Sequence, residues 1–275
     1  MFLSVILLHI DKVKITAKIN SPLEIRHNDR TFLSCLNIIN NLFSWGSKVS
    51  SESDGQSTVN TGKISRRPIK ARDTKWAAAT ARWLTNSGLR PNHISVLSVF
   101  FAAIAGTALL FTAHVDANWS RALLYLLAIA GIQFRLLCNL FDGMVAVEGG
   151  FRSKTGELFN EFPDRISDVI ILLGAGYACG PYGTTLGWIA AVLAVLTAYV
   201  RALGGSAGVS QAFCGPMAKQ QRMAIITLAC ILGSAEDFLT GTRWVMPIAL
   251  VLVASGCVVT IVRRLNKIAA EMRLQ

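Results

Sequence analysis

Residues Asn139–Asp168 read NLFDGMVAVEGGFRSKTGELFNEFPDRISD, and they decide the fold because they place many polar side chains between long apolar runs. Such side chains are costly inside a membrane and usually face the interior of the protein. On a helix, Asn139 and Asp142 lie three residues apart and share one face. A second face carries three side chains spaced by four residues: Asn160, Asp164 and Asp168. Two such faces that meet can hold a divalent cation, because Asp and Asn oxygens suit Mg²⁺ or Mn²⁺.

The composition of the chain indicates a polytopic membrane protein. Of its 275 residues, 52% are hydrophobic and 16% are charged, and the mean hydropathy of +0.47 is too high for an ordinary soluble domain. The net charge is +11, but the basic residues flank apolar segments and form no basic stripe with interleaved aromatic side chains. We therefore expect membrane lipid as a partner and no nucleic acid.

Six apolar segments predict an all-α integral membrane domain of six transmembrane helices over residues 89–264. They are Ile94–Phe111, Ala122–Leu140, Ile166–Cys179, Thr185–Val200, Met223–Gly233 (extended to Leu239) and Trp244–Val262. Because about 20 residues are needed to cross about 30 Å of hydrocarbon, the third segment suffices only if its helix starts near Glu157. Its acidic turns then lie at membrane depth and face other helices or a water-filled cavity. The fifth segment is also short, and we expect its helix to begin within residues 218–222.

The chain before these segments has two predicted parts. Residues 1–65 are expected to be an N-terminal extension and flexible linker, since residues 46–65 are rich in Ser, Thr and Gly and lack an apolar period. The apolar run Phe2–Leu8 is too short to span a bilayer, and it has no basic region before it and no clear small-residue cleavage site, so no signal peptide is expected.

Residues 66–88 predict an N-terminal amphipathic interfacial helix. They mix Lys and Arg with Trp76 and Trp83, which lie seven residues apart and share a helix face. This pattern is typical of a helix on an anionic leaflet, and the alternative is an ordinary surface helix. Gly88 suits the end of this helix, and Pro91 suits the start of the next.

The positions of Lys and Arg predict the orientation of the domain. Cations occur in the N-terminal arm, in the tail 265–275 and in the loop that contains Arg201, Lys219 and Arg222. The turns at 113–120 and 180–184 carry none, and Arg243 is the only cation expected on that side. By the positive-inside rule, both termini and the polar cluster face the cytoplasm, where nucleotides and Mg²⁺ are available.

The spacing within Asn139–Asp168 resembles the signature of the CDP-alcohol phosphatidyltransferase family, D-x2-D-G-x2-A-R-x8-G-x3-D-x3-D. Five fixed positions match without a gap: Asp142, Gly143, Ala146, Gly156 and Asp164. Three positions depart from it, since Asn139 and Asn160 replace Asp, and Val147 replaces Arg. The membrane layout that accompanies the signature covers roughly residues 89–264.

This resemblance implies a metal-dependent phosphatidyltransferase of phospholipid biosynthesis. An alcohol hydroxyl would attack the lipid-side phosphorus of a CDP-lipid such as CDP-diacylglycerol, and CMP would leave. The family also implies Mg²⁺ or Mn²⁺, a homodimer and a location in the cell inner membrane. Asp164 aligns with the proposed general base. The expected metal ligands are Asn139, Asp142, Asn160 and Asp164, with Asp168 as a substitute carboxylate or, alternatively, a carboxylate paired with a nearby cation.

Further residues are expected to contact the substrates. The small residues Gly143, Ala146 and Gly156 would let the cytidine base approach the helix backbones. Ser153 and Lys154 would contact a phosphate, although Lys154 also fits a solvated loop cation. Arg135, one turn before Asn139, either snorkels or pairs with the carboxylates, and we expect the pair. Three cations would bind an anionic acceptor such as a polyol phosphate, or serve membrane topology alone: Arg201, Lys219 and Arg222.

Two other functions stay open on the sequence alone. The amides at Asn139 and Asn160 and the missing arginine fit a catalytically impaired family member that binds lipid or nucleotide. Buried carboxylates among six helices also fit a small ion-coupled transporter, although no inverted repeat is visible.

Overall fold

The computed structural model describes residues 74–88, 90–148, 156–209 and 214–274, and their regular structure is entirely helical. The seven α-helices in these ranges are α1 (Lys75–Asn86), α2 (Pro91–Phe111), α3 (Asn118–Glu148), α4 (Gly156–Tyr177), α5 (Gly180–Ser206), α6 (Lys219–Leu239) and α7 (Val245–Met272), with a 3₁₀ turn at Thr112–His114. The predicted all-α class is confirmed for the described residues. The predicted extension and linker at 1–65 lie outside them.

Four helices are long and apolar enough to cross a membrane: α2 with the 3₁₀ turn that follows it, α3, α5 and α7. Helices α4 and α6 have 22 and 21 residues, but both carry charged side chains near their first turns. This architecture is that of an integral membrane protein.

Two helix boundaries follow the sequence prediction, and one does not. Helix α4 begins at Gly156 and α6 at Lys219, so both helices include the polar turns that precede their apolar runs. The predicted turn at 180–184 is wrong, because α5 already begins at Gly180. Gly180 has φ +74°, which only glycine adopts readily, and Pro181 follows within the first turn. One tight turn therefore replaces the expected loop.

Helix α1 is joined to the end of α3 that carries the polar cluster. Its buried Ala77 and Ala81 belong to one apolar cluster with Met144 and Val145 of α3, and the ring of Trp76 lies edge-on to a phenylalanine of α3 at 6.1 Å. The helix begins at Lys75, and the predicted stretch 66–73 is outside the described residues. This apolar packing holds α1 against the C-terminal part of α3, which also carries Asp142.

The central crossing of α2 and α4 depends on two glycines that face each other. A Cβ atom added to Gly106 would lie 2.7 Å from the carbonyl oxygen of Ile170, and one added to Gly174 would clash with the carbonyl oxygen of Gly106. Small residues at helix crossings let backbones approach closely in membranes. This close approach brings the first turns of α2 next to the polar face of α4.

A buried ion pair closes the end of the bundle opposite the polar cluster. Arg121 of α3 donates to Asp237 of α6 at 2.6 Å, and its other nitrogens donate to the carbonyls of Val115 and Asp116. Arg243 lies 3.8 Å from the same carboxylate. The expectation that Arg243 is the only cation on this side is therefore wrong, because Arg121 directly follows the turn and folds back over it.

A second buried ionic network joins three helices at the polar end. Asp168 of α4 accepts from Arg135 of α3 at 2.7 Å and from Arg222 of α6 at 2.5 Å. All three side chains are at most 1% exposed. Arg222 also donates to Thr197 of α5 and to the carbonyl of Met217. Of the two predicted alternatives for Arg135, pairing is confirmed and snorkelling is wrong.

We expect Gly174→Ala to destabilise the protein by about 1–3 kcal/mol, because the added methyl group meets a backbone atom that cannot move aside. The readout is the midpoint temperature of unfolding of the detergent-purified protein. Gly233→Ala is the matched control, since the nearest atom to its added Cβ lies 3.5 Å away. Equal midpoints for the two variants would contradict the close crossing.

Replacing Asp168 with Asn should destabilise the protein by about 3–5 kcal/mol, because it leaves two buried guanidinium groups without their shared carboxylate. Thermal unfolding in detergent again measures the effect. Glu161→Gln serves as control, since Glu161 is 39% exposed and its ion pairs are worth less than about 1 kcal/mol. A smaller loss for Asp168→Asn than for Glu161→Gln would refute the role of the network.

Candidate active site

The two polar faces predicted from the sequence meet at one end of the bundle. Asp142 lies near the C-terminal end of α3, and Asp164 and Asp168 lie in the first half of α4. Arg135 connects the two helices, because one of its nitrogens is 2.7 Å from Asp168 and 3.5 Å from Asp164. The predicted convergence of these faces is therefore present in the structure.

Asp142 is a buried carboxylate with no cation in contact among the described residues. It is 3% exposed, and its Oδ2 accepts a hydrogen bond from Ser95 of α2 at 2.9 Å. Its Oδ1 is buried and has no hydrogen-bond partner there. Burying a charge without compensation is strongly unfavourable, so this oxygen is suited to a bound cation.

Asp164 contacts a cation supplied by the protein. Its Oδ2 accepts from the ammonium group of Lys219, the first residue of α6, and Arg165 lies 3.8 Å from the same oxygen. Its Oδ1 is buried and accepts no hydrogen bond from the described residues, although Arg135 is 3.5 Å away. Oδ2 of Asp164 is therefore paired with Lys219, whereas Oδ1 is available to a ligand.

Asp168 lies one turn deeper than Asp164, and both of its oxygens already accept from guanidinium groups. A metal at Asp168 would have to displace Arg135 or Arg222 from a buried ion pair. The structure thus gives Asp168 the geometry of the second predicted alternative, a carboxylate paired with cations.

The two amides that replace signature carboxylates each precede an acid by three or four residues on the same helix. Asn139 is one turn after Arg135, and its Nδ2 donates to the Arg135 carbonyl at 3.0 Å. Its amide oxygen is the atom that remains for a ligand. Asn160 is the fifth residue of α4, one turn before Asp164.

The small signature residues occupy the helix ends beside this cluster. Gly143 and Ala146 lie in the last turns of α3, and Gly156 is the first residue of α4. The end of α3 and the start of α4 therefore lie beside the cluster, and we call these two helix ends the mouth of the site. Ser153 and Lys154 fall within residues 149–155, which are outside the described residues.

The predicted acceptor-binding cations all lie at the same end of the bundle as the acids. Arg201 of α5 pairs with Glu161 at 2.5 Å, whereas Lys219 and Arg222 pair with Asp164 and Asp168 as described above. Arg201 is 22% exposed and Lys219 24% exposed at the side chain, but Arg222 is buried. Only the first two are placed to reach a water-soluble molecule.

The oxygen atoms of this cluster are of the kind that bind a divalent cation. The described residues contain no group of three His, Cys, Asp or Glu side chains arranged for a metal, so a metal here needs amide oxygens as well. Asp142 Oδ1 is buried and unpartnered, and the amide oxygen of Asn139 lies one turn away on the same helix. With Asp164 on the facing helix, these all-oxygen donors suit Mg²⁺ or Mn²⁺.

The hydrogen bond from Ser95 to Asp142 was not predicted from the sequence. Pro91 starts α2 at the end of the bundle where α3 finishes, so a polar residue in the first turns of α2 can reach Asp142. The only signal in the sequence was the position of Ser95 one turn after the helix start. A single serine at such a place is too common to indicate a contact.

No family model matches the chain, but two known proteins are similar to it in sequence. The phosphatidylinositol phosphate synthase of Streptomyces avermitilis is 25% identical over 232 residues, covering 79% of this chain and 91% of the relative. The inner membrane protein YnbA of Escherichia coli is 25% identical over 149 residues, covering 54% of this chain and 70% of that protein.

The fold is similar to crystal structures of the Mycobacterium tuberculosis phosphatidylinositol phosphate synthase PgsA1. The structure in complex with manganese and citrate has a TM-score of 0.58 and 20% identity, covering 70% of this chain and 88% of that one. The structure with CDP-DAG bound has a TM-score of 0.57 and 21% identity, covering 71% and 94%. The chain therefore has the fold of these synthase structures, and its sequence is similar to a phosphatidylinositol phosphate synthase over nearly the whole length of that relative.

Proposed function

We propose that this protein is a metal-dependent phosphatidyltransferase that moves a phosphatidyl group from CDP-diacylglycerol to an alcohol and releases CMP. The observation that carries the proposal is the buried Asp142 carboxylate, which occupies a signature position and has one oxygen without a partner. A buried carboxylate in this state is suited to a cation that also binds a diphosphate. The similarity to a synthase solved with CDP-DAG bound supports the choice of donor.

Asp164 is the proposed general base. Lys219 holds its Oδ2, so Oδ1 is the oxygen that can accept a proton from the acceptor hydroxyl. The acceptor oxygen forms a bond to the lipid-side phosphorus, and the bond from that phosphorus to the bridging oxygen breaks. The bridging oxygen leaves with CMP, and the hydroxyl proton goes to Asp164.

The proposed metal ligands are Asp142, Asp164 and the amide oxygens of Asn139 and Asn160. A bound Mg²⁺ or Mn²⁺ would neutralise the diphosphate and stabilise the charge on the leaving CMP. Ser95 orients Asp142 by holding its Oδ2, which turns the other oxygen to the ligand. Asp168 would have to leave two guanidinium groups to bind a metal, so we assign it to positioning α4 instead.

The substrates are proposed to bind at the mouth of the site. Gly143, Ala146 and Gly156 have small or absent side chains where the cytidine base would approach, and Ser153 and Lys154 would contact a phosphate. Arg201 is the proposed contact for the acceptor. A polyol phosphate is the first acceptor to test, since the curated relative from Streptomyces avermitilis is a phosphatidylinositol phosphate synthase.

The proposed topology has six crossings, with α4 and α6 spanning the membrane beside the four more apolar helices. Asp164 and Asp168 of α4 are paired inside the bundle with Lys219 and Arg222 of α6, which lowers the cost of placing these charges in a membrane. We further propose that α1 lies on the membrane surface, that both termini and the site face the cytoplasm, and that the protein is a homodimer in the inner membrane.

Asp164→Asn should lower metal-dependent CMP release by about 10²–10⁴-fold, because the amide cannot accept the hydroxyl proton. The measurement is CMP release from CDP-diacylglycerol by the detergent-purified protein, with Mg²⁺ or Mn²⁺ and a panel of alcohols headed by polyol phosphates. Asp116→Asn makes the same change at an exposed turn at the other end of the bundle and should leave the rate unchanged.

Absence of CMP release from the folded wild-type protein with every acceptor would refute the transferase. Retained binding of CDP-diacylglycerol in that case would support the alternative of a family member that binds without turnover. The amides at Asn139 and Asn160 favour that alternative, because they remove two of the four negative charges of the signature.

A further inference from the structure

The charges around the site are nearly balanced before any ligand binds. Among the described side chains, Asp168 is paired with two arginines, and Asp164 is paired with Lys219. Asp142 is the carboxylate with no cation in contact. The family signature supplies four carboxylates at positions where this chain has only Asp142 and Asp164, because the other two positions are Asn139 and Asn160.

Lys219 is paired with one of the two remaining signature carboxylates. Its ammonium group contacts Asp164 Oδ2. It is the first residue of α6, and its side chain is 24% exposed. Arg135 and Arg222, in contrast, are completely buried in their ion pairs.

We propose that the site takes a single divalent cation, and that this cation and the Lys219 ammonium compete for Asp164. The cation would bind Asp142 Oδ1, the Asn139 amide oxygen and the Asp164 oxygen that Lys219 releases. The released ammonium is then available to a phosphate of the incoming CDP-lipid. This inference rests on the proposed function, since it concerns the metal of the same site.

The net charge of the site determines how many divalent cations it can bind. Two divalent ions at the usual separation of about 3.5–4 Å repel each other about four times as strongly as two unit charges. Four carboxylates offset this repulsion, whereas two carboxylates neutralise one divalent ion only. The three resident cations at Arg135, Lys219 and Arg222 add to the repulsion that a second metal would meet.

The test is a titration of the full-length, detergent-purified protein with Mn²⁺, followed by the EPR signal of free Mn²⁺, without CDP-lipid. The wild type should bind one Mn²⁺ per chain. Lys219→Met should bind it about tenfold or more tightly, because the competing charge is gone, and Lys219→Arg should stay near the wild type. The double variant Asn139→Asp with Asn160→Asp should gain a second Mn²⁺.

Lys267→Met is the matched control, since it removes the same charge from an exposed position on α7 and should leave the affinity unchanged. Unchanged or weaker Mn²⁺ binding by Lys219→Met, two Mn²⁺ in the wild type, or no binding at all would each overturn the inference. CMP release is measured on the same preparations. If CMP is released but Lys219→Met does not bind Mn²⁺ more tightly, the inference fails and the proposed transfer reaction stands. If Lys219→Met binds Mn²⁺ more tightly but no CMP is released, the proposed transfer reaction fails and the inference stands.

Discussion

The position of Asp168 between Arg135 and Arg222 is the constraint on which the polar end of the bundle depends. Three charged side chains are buried at a depth where water cannot solvate them, so each must contact its partners. The contacts join α3, α4 and α6, and Thr197 extends them to α5. Asp164 lies one helical turn before Asp168, so the network also fixes the direction in which Asp164 points. The candidate site is thus built on a structural ion network one turn below it.

The candidate site has fewer acids than the signature that it resembles, and its remaining acids are paired with basic side chains. Asn139 stands where the signature has Asp. Its amide oxygen can still bind a metal, but it carries no negative charge, and its amide nitrogen donates to the Arg135 carbonyl. Lys219 supplies a cation directly to Asp164. Without a metal, such a site has less electrostatic repulsion than four adjacent carboxylates, because its charges are already partly compensated. The affinity that we propose for a divalent ion should therefore be sensitive to any change of charge nearby.

Spacing in the sequence predicted the helices and the faces, but not the partners. The short third and fifth apolar segments correctly required helices that begin in polar turns, because crossing a membrane sets a minimum length. Arg135 was correctly expected to pair, since an arginine one turn from acids on a facing helix has few other partners. The pairs Lys219–Asp164 and Arg121–Asp237 were not predictable, because their members lie 55 and 116 residues apart. Which residues meet across helices depends on rotation and on crossings such as that of Gly106 with Gly174, and spacing along one helix does not encode these.

The buried pair of Arg135 with Asp168 has a consequence for biogenesis. Arg135 lies near the middle of α3, and the ribosome delivers α3 before α4 brings Asp168. A lone charged residue at the centre of an inserting helix opposes insertion by about 2.5–3.5 kcal/mol, so α3 alone inserts less favourably than α3 paired with α4. We therefore expect α3 and α4 to enter the membrane together, as one helical hairpin.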